Sequence, residues 1–101
     1  MLPVTGTLPT VEATLFTVNS VKGAELEWIQ CINGASSTAT VQFWVTVRGI
    51  KAALTPPVPA EVGTLVDALS DKPVLRIPKD ATISGRASVA GATFLISGRE
   101  L

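Results

Sequence analysis

The sequence predicts an all-β fold, namely a jelly-roll-like antiparallel β-sandwich with six to eight short strands. Three observations support this fold class. Apolar and polar residues alternate with a period of two along most of the chain, turn-forming residues recur about every ten positions, and no long stretch has helical spacing. A chain of 101 residues is the usual size of one such domain. We therefore expect a single β-sandwich domain over residues 11–101, preceded by an extended N-terminal arm over residues 1–10.

The N-terminal arm is short, apolar and interrupted by Pro3 and Pro9. Proline fixes φ and has no N–H, so the segment favours an extended conformation. Such an arm gains little by packing on its own small domain. We expect Leu2, Pro3 and Val4 to add an extended strand to a neighbouring molecule. A frayed terminus is the alternative.

Three strands are predicted in the first half of the chain, at Val11–Val18, Gly23–Asn33 and Thr38–Arg48. In the second of them the alternation shifts at Ile29, which indicates either a β-bulge or burial on both faces. The loop Asn33–Ser37 is rich in turn-forming residues. It predicts that the second and third strands form a hairpin.

The third strand has the clearest alternation, and its polar face carries Trp44 between Gln42 and Arg48. An exposed tryptophan beside an arginine is typical of a protein interface, so we predict that these three residues contribute to one. Two alternatives remain. Trp44 could be covered within its own subunit, by a second sheet or by Pro56–Pro59, or it could stack against a sugar ring.

The second half of the chain begins with Ile50–Pro59, where three prolines predict an irregular, rigid connection between sheets. Glu61–Ser70 is compatible with a strand or a short helical turn, and its context favours a strand. A short strand follows at Val74–Ile77. The last two strands, Ala81–Val89 and Ala92–Leu101, are predicted to form a second hairpin.

The residue types restrict the possible chemistry. The chain has no His and one Cys, which excludes a Ser–His–Asp triad, a His-ligated metal and an internal disulfide. Glu25 and Glu27 could form the acid–base pair of a glycosidase, but a solvated strand face is the simpler interpretation. Three aspartates, Asp67, Asp71 and Asp80, match no calcium-loop spacing. We expect Cys31 to be a small buried apolar residue, and we expect no enzyme activity, metal or cofactor.

Charge and hydropathy predict the class of partner. Eight basic and eight acidic residues give a net charge of zero, which argues against nucleic-acid binding. Only 16% of the residues are charged, and Thr and Ser take their place, so we expect much of the surface to contact other protein. No stretch has the length and apolar character of a membrane helix, and residues 1–10 lack the pattern of a signal peptide. We expect no membrane partner and synthesis in the cytoplasm.

Five segments follow one another in a recognisable order. They are L-F-T-V at Leu15–Val18, the apolar segment Ile29–Asn33, the Ser/Thr-rich turn and Val/Thr strand of Ser36–Val47, D-x-x-I-x-x-x-A-S at Asp80–Ser88, and I-S-G-R-E at Ile96–Glu100. This order resembles that of small β-sandwich virion proteins of tailed bacteriophages.

The resemblance implies a non-enzymatic capsid decoration (cement) protein on the outer surface of the virion. Its implied partner is the major capsid protein, whose subunit junctions it would stabilise as a dimer or trimer. A tail or fibre component is the alternative within the same resemblance. From the residues alone, a carbohydrate-binding module that uses Trp44 or Trp28 is a further alternative.

Overall fold

A computed structural model describes residues 2–69 and 74–101 of the chain. Over these residues ten strands form two antiparallel five-stranded sheets, so the predicted all-β sandwich is confirmed, with more strands than the expected six to eight. The strands are β1 (Val4–Thr7), β2 (Ala13–Thr17), β3 (Ala24–Asn33), β4 (Ala39–Val47), β5 (Ile50–Ala53), β6 (Val58–Ala60), β7 (Leu65–Asp67), β8 (Leu75–Ile77), β9 (Thr82–Ala87) and β10 (Ala92–Glu100). The described residues contain no helix that is long and apolar enough to cross a membrane.

The first sheet has the strand order β1-β10-β3-β7, and β8 also pairs with β3. The second sheet has the order β2-β9-β4-β5, and β6 also pairs with β4. Each long strand turns its apolar positions towards the other sheet, as the period of two requires. The largest fully buried side chains include Leu26, Ile29 and Ile96 from the first sheet and Phe43 and Ile83 from the second.

Neither predicted hairpin forms. β3 lies in the first sheet and β4 in the second, so the loop between them crosses from one sheet to the other. The same holds for β9 and β10. Both arrangements bury one face of each strand in the same core, and for that reason the alternation does not distinguish a hairpin from a crossover.

The N-terminal segment is part of the domain rather than an arm outside it. β1 pairs with β10, with Val4 opposite Ile96, and the Leu8 side chain is almost completely buried. The Leu8 N–H donates to the Ala92 carbonyl at 2.8 Å. Burying Leu8 and partly burying Leu2 and Val4 against the core outweighs the entropy of a free terminus.

The segment Ile50–Pro59 also differs from the expected irregular connection. It contains β5 and β6, both of which pair with β4 within one sheet. The strand before it ends at Val47, because Arg48 and Gly49 have positive φ values of 52° and 80° and form a tight two-residue turn. Pro59 lies opposite Thr40 on a strand with a free edge, where the missing proline N–H is tolerated.

Two other expectations are confirmed. The segment Glu61–Ser70 contains a strand, β7, within its described part. The alternation in β3 is shifted by a β-bulge, because Ser97 pairs with Trp28 whereas Gly98 pairs with Leu26. Glu27 is therefore the extra residue, and it and Trp28 both face solvent.

Candidate docking surface

The outer face of the first sheet carries exposed apolar side chains. Trp28 is 49% exposed, Ile32 51% and Leu65 56%. Ile32 on β3 lies directly opposite Leu65 on β7, and half-buried Leu95 on β10 lies diagonally between Trp28 and Ile32. We call these four residues the apolar strip. Neighbours of this kind on one sheet face form a continuous contact surface.

The polar residues around the apolar strip are mainly uncharged. Thr5, Gln30 and Asp67 align in one row across the sheet with Leu95, and Thr7 and Thr93 align with Ile32 in the next. The Asp67 carboxylate accepts a hydrogen bond from the Leu69 N–H at 3.0 Å. A partner that covers this face therefore removes few charges from water, which keeps the desolvation cost low.

Charges gather at one end of this face, around Glu25. Arg99 donates to Oε1 of Glu25 from Nε at 2.9 Å and from Nη2 at 2.8 Å. Arg76 Nη1 lies 3.9 Å from Oε2 of the same carboxylate. Glu25 is thus paired with two arginines, while Glu27 projects from the bulge. This environment suits a surface ion pair better than an acid–base pair of catalytic carboxylates.

Trp44 lies on the outer face of the second sheet, on the opposite side of the sandwich. Lys51 Nζ is 4.7 Å from the centroid of the Trp44 ring, and Glu12 Oε1 is 2.5 Å from the same nitrogen. The ring is therefore half-covered within its own subunit by a cation–π contact. Lys51 lies on β5 of the same sheet, a source of cover that the sequence pattern did not indicate.

The six residues predicted from the sequence to form an interface do not lie together. Trp44 and Gln42 share the outer face of the second sheet, and Gln42 Nε2 donates to the Thr55 carbonyl at 3.0 Å. Arg48 lies in the turn after β4 and is exposed. Leu2, Pro3 and Val4 lie at or just before β1, at the edge of the first sheet.

Sequence reasoning missed the apolar strip as a surface. The signal was present at Ile29, where the alternation shifts, because the bulge at Glu27 turns Trp28 outwards, whereas Leu26 before the bulge faces the core. Ile32 lies four residues after Trp28 and therefore shares its outer face. The missing information was that β7 pairs with β3, which places Leu65 opposite Ile32.

Metal ligation has little support among the described residues. They contain no group of three or more His, Cys, Asp or Glu side chains that could hold a metal ion. Asp80 lies 3.5 Å from Lys79 Nζ in a turn, far in sequence from Asp67. Asp71, the third aspartate considered from the sequence, lies outside the described residues.

Cys31 is buried in the core, and desolvation raises the pKa of its thiol from 9.0 to about 11. Because the folded state keeps the proton more strongly than the unfolded state, this group's contribution to stability is complete below pH 9.0. It is lost as the pH rises through the folded pKa. Only the thiolate reacts readily with disulfide reagents.

We therefore predict that native protein at pH 8 reacts with a thiol reagent such as DTNB at least about a hundredfold more slowly than protein unfolded in guanidinium. Absorbance at the wavelength of the released thiolate measures the rate. A Cys31→Ala variant supplies the background signal. Rapid stoichiometric labelling of the native protein would contradict the buried position.

No protein-family model, curated protein or solved structure matches the chain significantly. The resemblance to small virion proteins of tailed bacteriophages stays a prediction from the five segments. The surface geometry described above is the basis for the functional argument that follows.

Proposed function

We propose that this protein is a non-enzymatic structural subunit that docks onto a larger protein assembly through the apolar strip. The form we favour is a capsid decoration protein of a tailed bacteriophage, bound to the major capsid protein on the outer surface of the virion. The observation that supports docking is an exposed Trp28 beside Ile32, Leu95 and Leu65 on an open sheet face. Exposed apolar patches of this kind mark interaction sites.

The size of the face is of the order that such a contact needs. β3 has ten residues and β10 has nine, whereas β1 has four and β7 and β8 have three each. At about 3.3 Å per residue and about 4.8 Å between strands, these strands cover about 460 Å². That area is more than half of the roughly 800 Å² per partner of a standard protein interface. Apolar burial contributes about 25 cal/mol per Å², and a central tryptophan contributes more than its neighbours.

Uncharged threonines around the strip would make such an attachment tolerant of salt. Exposed ion pairs weaken as salt screens them, whereas apolar contacts and neutral hydrogen bonds are not screened. A particle outside its host meets variable ionic strength, so this composition suits the proposed location.

The location is tested by mass spectrometry of particles purified from the source of the gene. A copy number in the hundreds per particle supports a decoration protein. A handful of copies indicates a tail or fibre component, and absence from particles contradicts the virion proposal.

Attachment through the apolar strip is tested with Trp28→Ala. We expect its affinity for particles that lack the protein to fall at least about thirtyfold, the effect of losing a central interface tryptophan. Co-sedimentation of purified protein with particles over a concentration series measures the affinity.

The matched control is Val21→Ala, which removes a 79% exposed apolar side chain outside the strip and should bind as the wild type does. Equal binding by Trp28→Ala and wild type would contradict docking through this face. Monomeric protein that binds glycans on an array, and loses them with Trp28→Ala, would instead support the carbohydrate-binding alternative.

A further inference from the structure

A groove opens at the edge of the sandwich and is lined by residues in and around β6 of the second sheet and β7 of the first. Its volume is about 500 Å³, within the range of binding pockets. Its apolar lining residues are Val58, Pro59, Leu65 and Val66. Glu61 and Thr64 contribute polar atoms. We call it the edge groove.

The carboxylate of Glu61 is the charged group of the edge groove. Its backbone carbonyl accepts hydrogen bonds from the Thr64 N–H at 3.1 Å and from the Thr64 hydroxyl at 2.6 Å, which holds the loop in place. The Glu61 side chain is exposed and has no hydrogen-bond or ion-pair partner among the described residues. The groove thus offers apolar surface beside the exposed Glu61 carboxylate.

The turn between β4 and β5 carries a positive charge and an apolar side chain, which complement the negative charge and apolar surface of the edge groove. Its residues Arg48 and Ile50 are exposed, Ile50 at 74%, and Arg48 has no ion-pair partner in the described part of the chain. The tight turn projects an apolar side chain and a cation from the end of the second sheet. We call Val47–Ile50 the hairpin tip.

The hairpin tip and the edge groove of one molecule cannot meet. β6 pairs with the Ala39–Val41 end of β4, whereas the tip follows Val47 at the other end. At about 3.3 Å per residue, the two features lie about 20–25 Å apart along β4. Any contact between them must therefore join two copies of the chain.

We propose that the hairpin tip of one copy inserts into the edge groove of a second copy, with Ile50 against the apolar walls and Arg48 paired with Glu61. The contact is between two different surfaces, so its repetition gives a closed ring where the rotation between copies closes and an open filament where it does not. A net charge of zero leaves no overall repulsion between copies. The inference goes beyond the proposed function, because self-association does not require a particle.

Charge reversal tests the pairing on the purified chain alone. Arg48→Glu or Glu61→Arg places like charges together, and we expect each to weaken self-association at least about tenfold. The double variant Arg48→Glu/Glu61→Arg restores opposite charges and should recover most of the loss. Sedimentation equilibrium over a concentration series measures the association, and circular dichroism checks that each variant is folded.

Two exposed charged residues outside the hairpin tip and the edge groove supply matched controls. Arg86→Glu on β9 and Glu27→Arg at the bulge change the net charge by the same amounts and should associate as the wild type does. A second measurement mixes Arg48→Cys protein with Glu61→Cys protein, which should form a disulfide-linked pair that neither forms alone.

Three results would overturn the inference. They are a wild-type protein that is monomeric at the highest concentration reached, single reversals that associate normally, and a double reversal that does not recover. None of these measurements involves particles. A negative result for self-association therefore does not affect the test of particle binding with Trp28→Ala, and a negative result for particle binding does not affect the test of self-association.

Discussion

Replacing Asn33 with alanine is expected to lower the free energy of unfolding by about 3 kcal/mol or more, because each buried polar group left unpaired costs about 1–3 kcal/mol. The Asn33 side chain is completely buried. Its Nδ2 donates to the carbonyls of Ser37 at 3.0 Å and Ala60 at 2.7 Å, and its Oδ1 accepts from the Ala35 N–H at 2.9 Å. Alanine leaves all three backbone groups without this partner.

The position of Asn33 explains why the effect should extend beyond one loop. Its backbone N–H donates to the Thr64 carbonyl at 3.2 Å, and its carbonyl accepts from the Gly63 N–H at 2.7 Å. One residue at the end of β3 therefore holds the crossover to β4, the end of β6 in the second sheet and the loop before β7. Such connected polar groups depend on one another.

Urea denaturation followed by tryptophan fluorescence measures the change, with Asn19→Ala at an exposed turn as the control expected to stay within about 0.5 kcal/mol. Asn33→Asp keeps the shape but removes both donors, so we expect it to be at least as destabilising as alanine. A loss below about 1 kcal/mol for both Asn33 variants would contradict the assigned role.

Gly23→Ala is expected to cost about 4 kcal/mol or more, through backbone strain together with a clash that the core cannot relieve. Gly23 has a φ of 89°, and a Cβ at this position would lie 2.3 Å from the Ile77 carbonyl oxygen. That oxygen belongs to the backbone of β8, which pairs with the start of β3. Relief would require the two strands to separate.

Gly49→Ala is the matched comparison, because Gly49 has a similar φ of 80° but no atom within 4 Å of an added Cβ. We expect it to cost only the conformational term, about 1–2 kcal/mol. Thermal and urea unfolding of both variants measure the difference. Equal losses of unfolding free energy in the two variants would show that only the backbone conformation matters and would contradict the clash with Ile77. If Gly23→Ala alone lacks a cooperative unfolding transition, the clash is supported.

The strands predicted best are those whose burial follows the period of two. Thr38–Arg48 was expected to be half-buried, and β4 buries Ala39, Val41 and Phe43 completely. The sequence pattern does not indicate β5 and β6, because the three prolines of Ile50–Pro59 favour an irregular segment. Pro59 is nevertheless accommodated in β6, since a free edge does not need its N–H.

The candidate docking surface was less accessible from the sequence than the strands. The regular apolar/polar alternation of its strand favours Trp44 as an interface residue, yet Lys51 lies over its ring. Trp28 was harder to judge because a bulge interrupts the pattern around it. Contacts such as Lys51 with Glu12 join residues 39 positions apart, and a linear pattern does not show them.

The amino-acid sequence by itself determined that this chain is an all-β sandwich, that it has no histidine chemistry and no internal disulfide, and that few of its residues are charged. Those properties follow from local alternation and composition. Only the tertiary structure decided which strands pair, that both expected hairpins are crossovers, and which apolar side chains remain on the surface. The reason is physical: a half-buried strand needs one apolar face against a core, and many partners satisfy that need equally. Long-range groups such as the Asn33 amide then select one arrangement.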